Sequence, residues 1–164
     1  MFSTGEYVVY ETNGVCKIDG TTTLNMSGIP ADRLYYVLSP LNMSGTMYVP
    51  VDKSNDVMRR IITREDAERL VAGIQEIEPL QITDERALEQ MYRRSMRHFD
   101  CTEWVRLIKF IYLRKQRRRK IGNNMTSTDE KYMHMAENSL YSELALALEI
   151  PKDEVLNYIF RKNR

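Results

Sequence analysis

The densest chemistry in this sequence is a run of cations. Arg114-Lys115-Gln116-Arg117-Arg118-Arg119-Lys120 sets six positive charges in seven residues, with Arg86, Arg93, Arg94 and Arg97 upstream. A helix C-terminus favours one or two cations through its dipole. Six repel one another and point to a phosphate-bearing partner, bound through charge and without base readout. The candidate nucleic-acid residues are Arg86, Arg93, Arg94, Arg97, Arg114, Lys115 and Arg118. Catalytic groups do not assemble in the same way. His98 and His134 lie outside any H-x-x-x-H spacing, and Cys16 and Cys101 form no C-x-x-C pair. There is also no G-x-S-x-G, P-loop or Rossmann fingerprint. The expectation is a binding protein and not an enzyme, with no cofactor, no metal and no small-molecule substrate. Both cysteines read as packing residues of a reducing compartment.

The elements that must carry these residues differ between the two halves of the chain. Met1 to Glu85 holds 7 basic and 13 acidic residues, Arg86 to Lys120 holds 12 and 3, and Ile121 to Arg164 holds 5 and 7. The overall charge of +1 therefore conceals one strongly positive segment. Nothing in Met1 to Glu6 resembles a signal peptide, and no apolar stretch is long enough for a bilayer. A cytoplasmic, nucleoid-associated protein that does not enter a membrane is expected.

The first sixty residues read as short strands. Glu6-Tyr7-Val8-Val9-Tyr10 and Val15-Cys16-Lys17-Ile18 flank a Thr12-Asn13-Gly14 turn, and Leu34 to Leu38 and Thr46 to Pro50 follow. So many short strands in so few residues predict a small, Tudor-like bent β-barrel. Helical spacing takes over after Ile62. Thr63 opens a first helix and Thr83 or Asp84 a second, towards His98. A third starts at Asp100 or Thr102 and stops at Gly122-Asn123-Asn124. Ser127 with Glu130 forms a capping box ahead of Tyr132, Ala136, Leu140, Leu144 and Leu148, which step by four along one stripe. Pro151 starts a last helix. The fold class is α+β in two domains: residues 1–62 form the barrel and residues 63–164 a compact all-α domain. Trp104 shares a helix face with Ile108 and Ile111, which predicts burial and not an exposed wedge.

The order of these segments resembles a known family. Phe2-Ser3-Thr4-Gly5-Glu6-Tyr7-Val8-Val9-Tyr10 followed by Asn13-Gly14-Val15 is similar to the G-[DE]-x-V-V-Y-x-x-x-G-[VA] signature of CarD-family bacterial transcription regulators. Tyr35 to Leu38 and Met47 to Val51 match that family's later strands. Leu107 to Gln116, Thr126 to Met133 and Ser142 to Leu148 continue the match through the helical half. The resemblance implies that residues 1–62 are the RNA-polymerase-interacting domain also found in the transcription-repair coupling factor, which docks on the polymerase β subunit by strand-to-strand contact. Carried over to this sequence, Tyr48, Val49 and Pro50 fall at the polymerase contact, with Leu24 near another such position. Both Leu24 and Tyr48 stand where some relatives have arginine. The helical domain 63–164 would contact promoter DNA and modulate open-complex stability. The tryptophan that wedges into the minor groove in relatives falls near Glu85 or Arg86, so DNA contact here is expected to be electrostatic. Two rival readings are a stand-alone non-specific DNA-binding or architectural protein, and a protein-interaction adaptor docked through the basic block.

Overall fold

The computed structural model describes residues 1–98 and 100–164 and divides into two units, Met1–Ile61 and Ile62–Arg164. The first is built on five strands: β1 (Tyr7–Tyr10), β2 (Gly14–Thr23), β3 (Leu34–Pro40), β4 (Met47–Pro50) and β5 (Met58–Arg60). The short helix α1 (Ser54–Val57) leads into β5. All pairings are antiparallel, in the order β4-β3-β2-β1-β5. The sheet does not close: β4 and β5 are its two edges, where a barrel would have paired them.

Alternation decides which strand residues share one core, while Val9 and Val15 are buried outside it. Val8, Cys16, Ile18, Tyr36, Leu38, Val49 and Met58 pack with Phe2 into one apolar core. Phe2 sits edge-on to Tyr36 at 5.9 Å, and its backbone N–H donates to the Tyr36 hydroxyl at 3.0 Å. The β1–β2 connection turns at Gly14, whose φ of +80° glycine adopts freely. Between Ile18 and Gly20 the β2–β3 register shifts by a bulge at Asp19, which accepts a hydrogen bond from the Ser39 hydroxyl. Burial pushes the Cys16 thiol up to about 12, so at neutral pH it is a packing group and not a thiolate.

The second unit contains α2 (Arg64–Ala72), α3 (Leu88–Arg97), α4 (Cys101–Lys120), α5 (Ser127–Leu148) and α6 (Val155–Lys162). Side-chain oxygens satisfy the free N–H groups at three helix starts. Thr63 accepts from Asp66 N at 3.1 Å, Asp100 from Thr102 N at 2.9 Å, and Thr126 from Asp129 N at 3.1 Å. Asp84 accepts from Arg86 N at 3.0 Å and opens the 3-10 turn Glu85–Ala87 that runs into α3. The cap of α5 is thus Thr126, one residue before the Ser127 expected from sequence. Thr126-Asp129 and Ser127-Glu130 are equally spaced, and the first wins because Asp129 is needed inside the unit. The stripe Tyr132, Ala136, Leu140, Leu144 and Leu148 is buried along its whole length, and α5 packs on α4, whose Trp104, Leu107 and Ile111 are also fully buried. Trp104 is fully buried, as its spacing predicts. Glu143 of α5 accepts the Ile62 N–H at 2.8 Å and the Cys101 thiol at 3.2 Å, which anchors the first residue of this unit to its central helices.

Truncation of a stripe residue leaves a cavity that a long helix pair cannot collapse around. Leu144→Ala is expected to lower unfolding free energy by about 2–5 kcal/mol, and Thr126→Ala by about 1 kcal/mol. Both would be read as reduced midpoints in urea denaturation of the full chain.

Candidate functional site

The two edges of the sheet are chemically unlike. β5 ends in Arg59 and Arg60. Arg60 pairs with Glu6 at 2.5 Å, donates to the Met1 carbonyl at 2.9 Å and lies over the Phe2 ring at 5.3 Å. Glu6 also accepts the Ser3 N–H at 2.9 Å, and that bond, ahead of Arg60, holds its carboxyl below the usual carboxylate range. Charged, clamped edges of this kind resist pairing with another strand. The β4 strand itself carries no charged side chain. Tyr48 is 47% exposed there, paired with Val37 of β3. Pro50 pairs with Tyr35, over whose ring Arg33 sits at 5.7 Å while it bridges to Asp52 at 3.2 Å.

Of the four sequence-predicted polymerase residues, Tyr48 and Pro50 lie on β4 with side chains on the face shared by Val37 and Tyr35. Val49, between them, turns its side chain into the core at 2% exposure, so it offers only backbone to a partner. Leu24 follows the end of β2 and is half-buried. Thr23 pairs with Leu34 and Tyr35 pairs with Pro50, so Leu24 and the exposed Leu34 lie towards the Pro50 end of β4. An apolar, unguarded edge can accept a strand from another chain through main-chain hydrogen bonds.

The predicted cations do not form one surface. Arg114 must be withdrawn from the nucleic-acid set. Its guanidinium turns inward from α4, donating Nε to the buried Asp129 at 2.7 Å and Nη1 to Glu85 at 2.5 Å. The reason lies in the helix period, because Leu107, Ile111 and Arg114 share the buried stripe of α4. Burial opposes its charge, but the hydrogen bonds it donates to Glu85 and Asp129 outweigh that and raise its pKa. Tyr92 completes the cluster by donating its hydroxyl to Asp129 at 2.9 Å, and burial first, then that bond, pushes its pKa up. Arg118 is partly committed as well, since its Nε donates to the Asn124 carbonyl at 2.8 Å.

The others remain at the surface, in two places. The Arg114–Glu85 pair holds the start of α3 at the C-terminal end of α4. Arg86, almost wholly solvated beside Asp84, therefore lies at the same end of the unit as Lys115 and Arg118. Arg93 and Arg97 share a face one turn apart on α3, with Arg93 bridged to Glu89 at 3.3 Å. Arg94 lines a cavity of about 430 Å³ with His98, Asp100, Glu103 and Arg106, towards the opposite end of α3. Ten residues of helix put these two ends about 15 Å apart along the axis. Sequence reasoning passed over Arg117, Arg119 and Lys120 within its own run. All three are exposed, and none makes a side-chain ion pair among the described residues.

Among the described residues no group of His, Cys, Asp and Glu could hold a metal ion, and no helix is long and apolar enough to cross a membrane. The first unit is thus an open sheet whose β4 edge carries no charged side chain, and the helical unit carries solvated cations. Residues 2–62 match the family model described as the CarD-like/TRCF RID domain. This protein therefore carries a CarD-like RNA-polymerase-interacting domain and has a transcription-related function, with RNA polymerase as partner. The family of that domain is not a known enzyme class. No curated protein matches the chain.

The inward turn of Arg114 has a measurable consequence. Arg114→Met leaves Asp129 charged and buried without its cation and is expected to cost about 3–5 kcal/mol. Arg117→Ala, a change to a solvated residue, should stay within about 0.5 kcal/mol. Urea denaturation of the two variants checks the contrast.

Proposed function

We propose that this protein regulates transcription by tethering to the β subunit of RNA polymerase through the β4 edge while its helical unit contacts promoter DNA and alters open-complex stability. The observation that carries the reading is the match of residues 2–62 to the polymerase-interacting domain, whose β4 edge exposes Tyr48 without a charged guard. Tyr48, Pro50 and Leu24 supply side chains to that contact and Val49 supplies backbone. The DNA contact runs through Arg86, Arg93, Arg94, Arg97, Lys115 and Arg118, mainly to phosphates, so its affinity falls steeply with salt. Residues 63–164 are then the DNA-interacting domain. The setting is the cytoplasm, at the nucleoid, where polymerase and promoter meet.

No covalent chemistry is required of such a protein. A factor that binds the open promoter state more tightly than the closed one shifts the equilibrium by the difference between the two affinities. Weak DNA affinity suffices once the tether holds the helical unit near its site, because effective concentration replaces intrinsic affinity.

The deciding experiment is co-purification of the full chain with RNA polymerase, wild type against Tyr48→Glu. Tyr48 is half-exposed, so the substitution leaves the core intact while placing a charge on the edge. Retention by polymerase should fall at least tenfold, corresponding to about 1.4 kcal/mol or more. Undiminished retention of the variant would remove the β4 edge from the contact.

A further inference from the structure

The cavity of about 430 Å³ that Arg94 lines lies within the helical unit, between the last turns of α3 and the first turns of α4. The segment ahead of α3 supplies its third wall and is fastened to α4 twice. Leu80 N donates to the Arg106 carbonyl at 3.2 Å, and Arg106 Nε donates to the Glu78 carbonyl at 3.2 Å. Arg106 and Glu103, both in the lining, neutralise each other at 2.8 Å. The volume falls within the range of small-molecule sites.

Other polar groups of the lining are left unused by the fold. The Arg94 guanidinium on α3 makes no hydrogen bond or ion pair among the described residues. The Asp100 carboxylate caps α4 through Thr102 N at 2.9 Å, yet it has no cation as partner among the described residues. Ser95 is only 4% exposed, and it lines the cavity. Its hydroxyl has no hydrogen-bond partner among the described residues, not even the carbonyl one turn back that a helical serine can use. Buried hydroxyls are normally satisfied, so this one points to a partner from outside the chain.

We propose that the cavity binds a small zwitterion, an α-amino acid with an apolar side chain. Its carboxylate meets Arg94 and the Ser95 hydroxyl, its ammonium meets Asp100, and its side chain lies against Leu80 and Met91 of the lining. A plain anion would be opposed by Asp100 and a plain cation by Arg94. A ligand carrying both charges complements both walls. The inference stands apart from the DNA reading, although a filled cavity would compete with phosphate for Arg94.

The test is calorimetric titration of the full chain with L-leucine, isocaproate and isoamylamine. The last two keep the leucine skeleton but lack its amino group and its carboxylate respectively. L-leucine should bind saturably, and each analogue should bind at least about tenfold more weakly, having lost one charge-assisted contact. Arg94→Gln changes an exposed residue, and Asp100→Asn keeps a competent helix cap, so both variants should fold. Each should weaken L-leucine about tenfold. Asp100→Asn should leave isocaproate binding undiminished, whereas Arg94→Gln should weaken it. Absence of saturable L-leucine binding to the folded wild-type chain would overturn the proposal. Isocaproate binding as tightly as L-leucine would make this a plain anion site and overturn the zwitterion. Wild-type affinity for L-leucine in either variant would put the ligand elsewhere and overturn it equally.

Discussion

The helical unit is organised around one buried carboxylate. Asp129 is almost wholly shielded from solvent, yet its carboxylate accepts from the Tyr92 hydroxyl of α3 and the Arg114 guanidinium of α4, while its backbone N–H donates to the Thr126 cap at the start of α5. Three helices are thereby tied at a single point. The pairing has a cost, because desolvating two charges is expensive unless their remaining hydrogen bonds are satisfied. Tyr92 and Glu85 supply those bonds. Once Arg114 is drawn inward, the rest of the basic run is sorted by the helix period. Arg118 stays near the stop of α4, while Arg117, Arg119 and Lys120 are left in solvent.

In the first unit the corresponding constraint is the unclosed sheet. Two edges exist, and the chain treats them differently. Arg60 gathers Glu6, the Met1 carbonyl and the Phe2 ring at one edge, while Tyr48 stands exposed at the other. A protein that needed only solubility would guard both. Leaving one open is consistent with a domain of the polymerase-interacting family, to which residues 2–62 belong.

Much of this was legible in the residues, and the exceptions have physical causes. β1 to β4 announce themselves by β-branched and aromatic alternation between turn residues. β5 does not: Met58-Arg59-Arg60 has no strand propensity, and its pairing with Tyr10, Val9 and Val8 exists only because the chain returns there. Barrel closure was expected from strand count, but strand count does not determine whether edges meet. The stop at Gly122 and the stripe from Tyr132 to Leu148 were readable because capping and helical periodicity are local. Arg114 reads like its neighbours, since a charge run looks uniform along the chain. Only its spacing from Leu107 and Ile111 marked it as facing inward. On β4, the alternation that sends Val49 into the core was visible in principle, but the family correspondence treated Tyr48, Val49 and Pro50 as one contact.

Polymerase tethering and DNA contact are proposed to act together on the open promoter. The most direct test is the lifetime of open complexes formed by purified polymerase and challenged with heparin, measured alone, with the full chain, with Tyr48→Glu, and with Arg86, Arg93 and Arg97 changed together to alanine. The expected result is that the wild-type chain changes the lifetime and that each variant returns it to the polymerase-only value. A variant lacking either the edge tyrosine or the three arginines that still acts as wild type would contradict the division of labour.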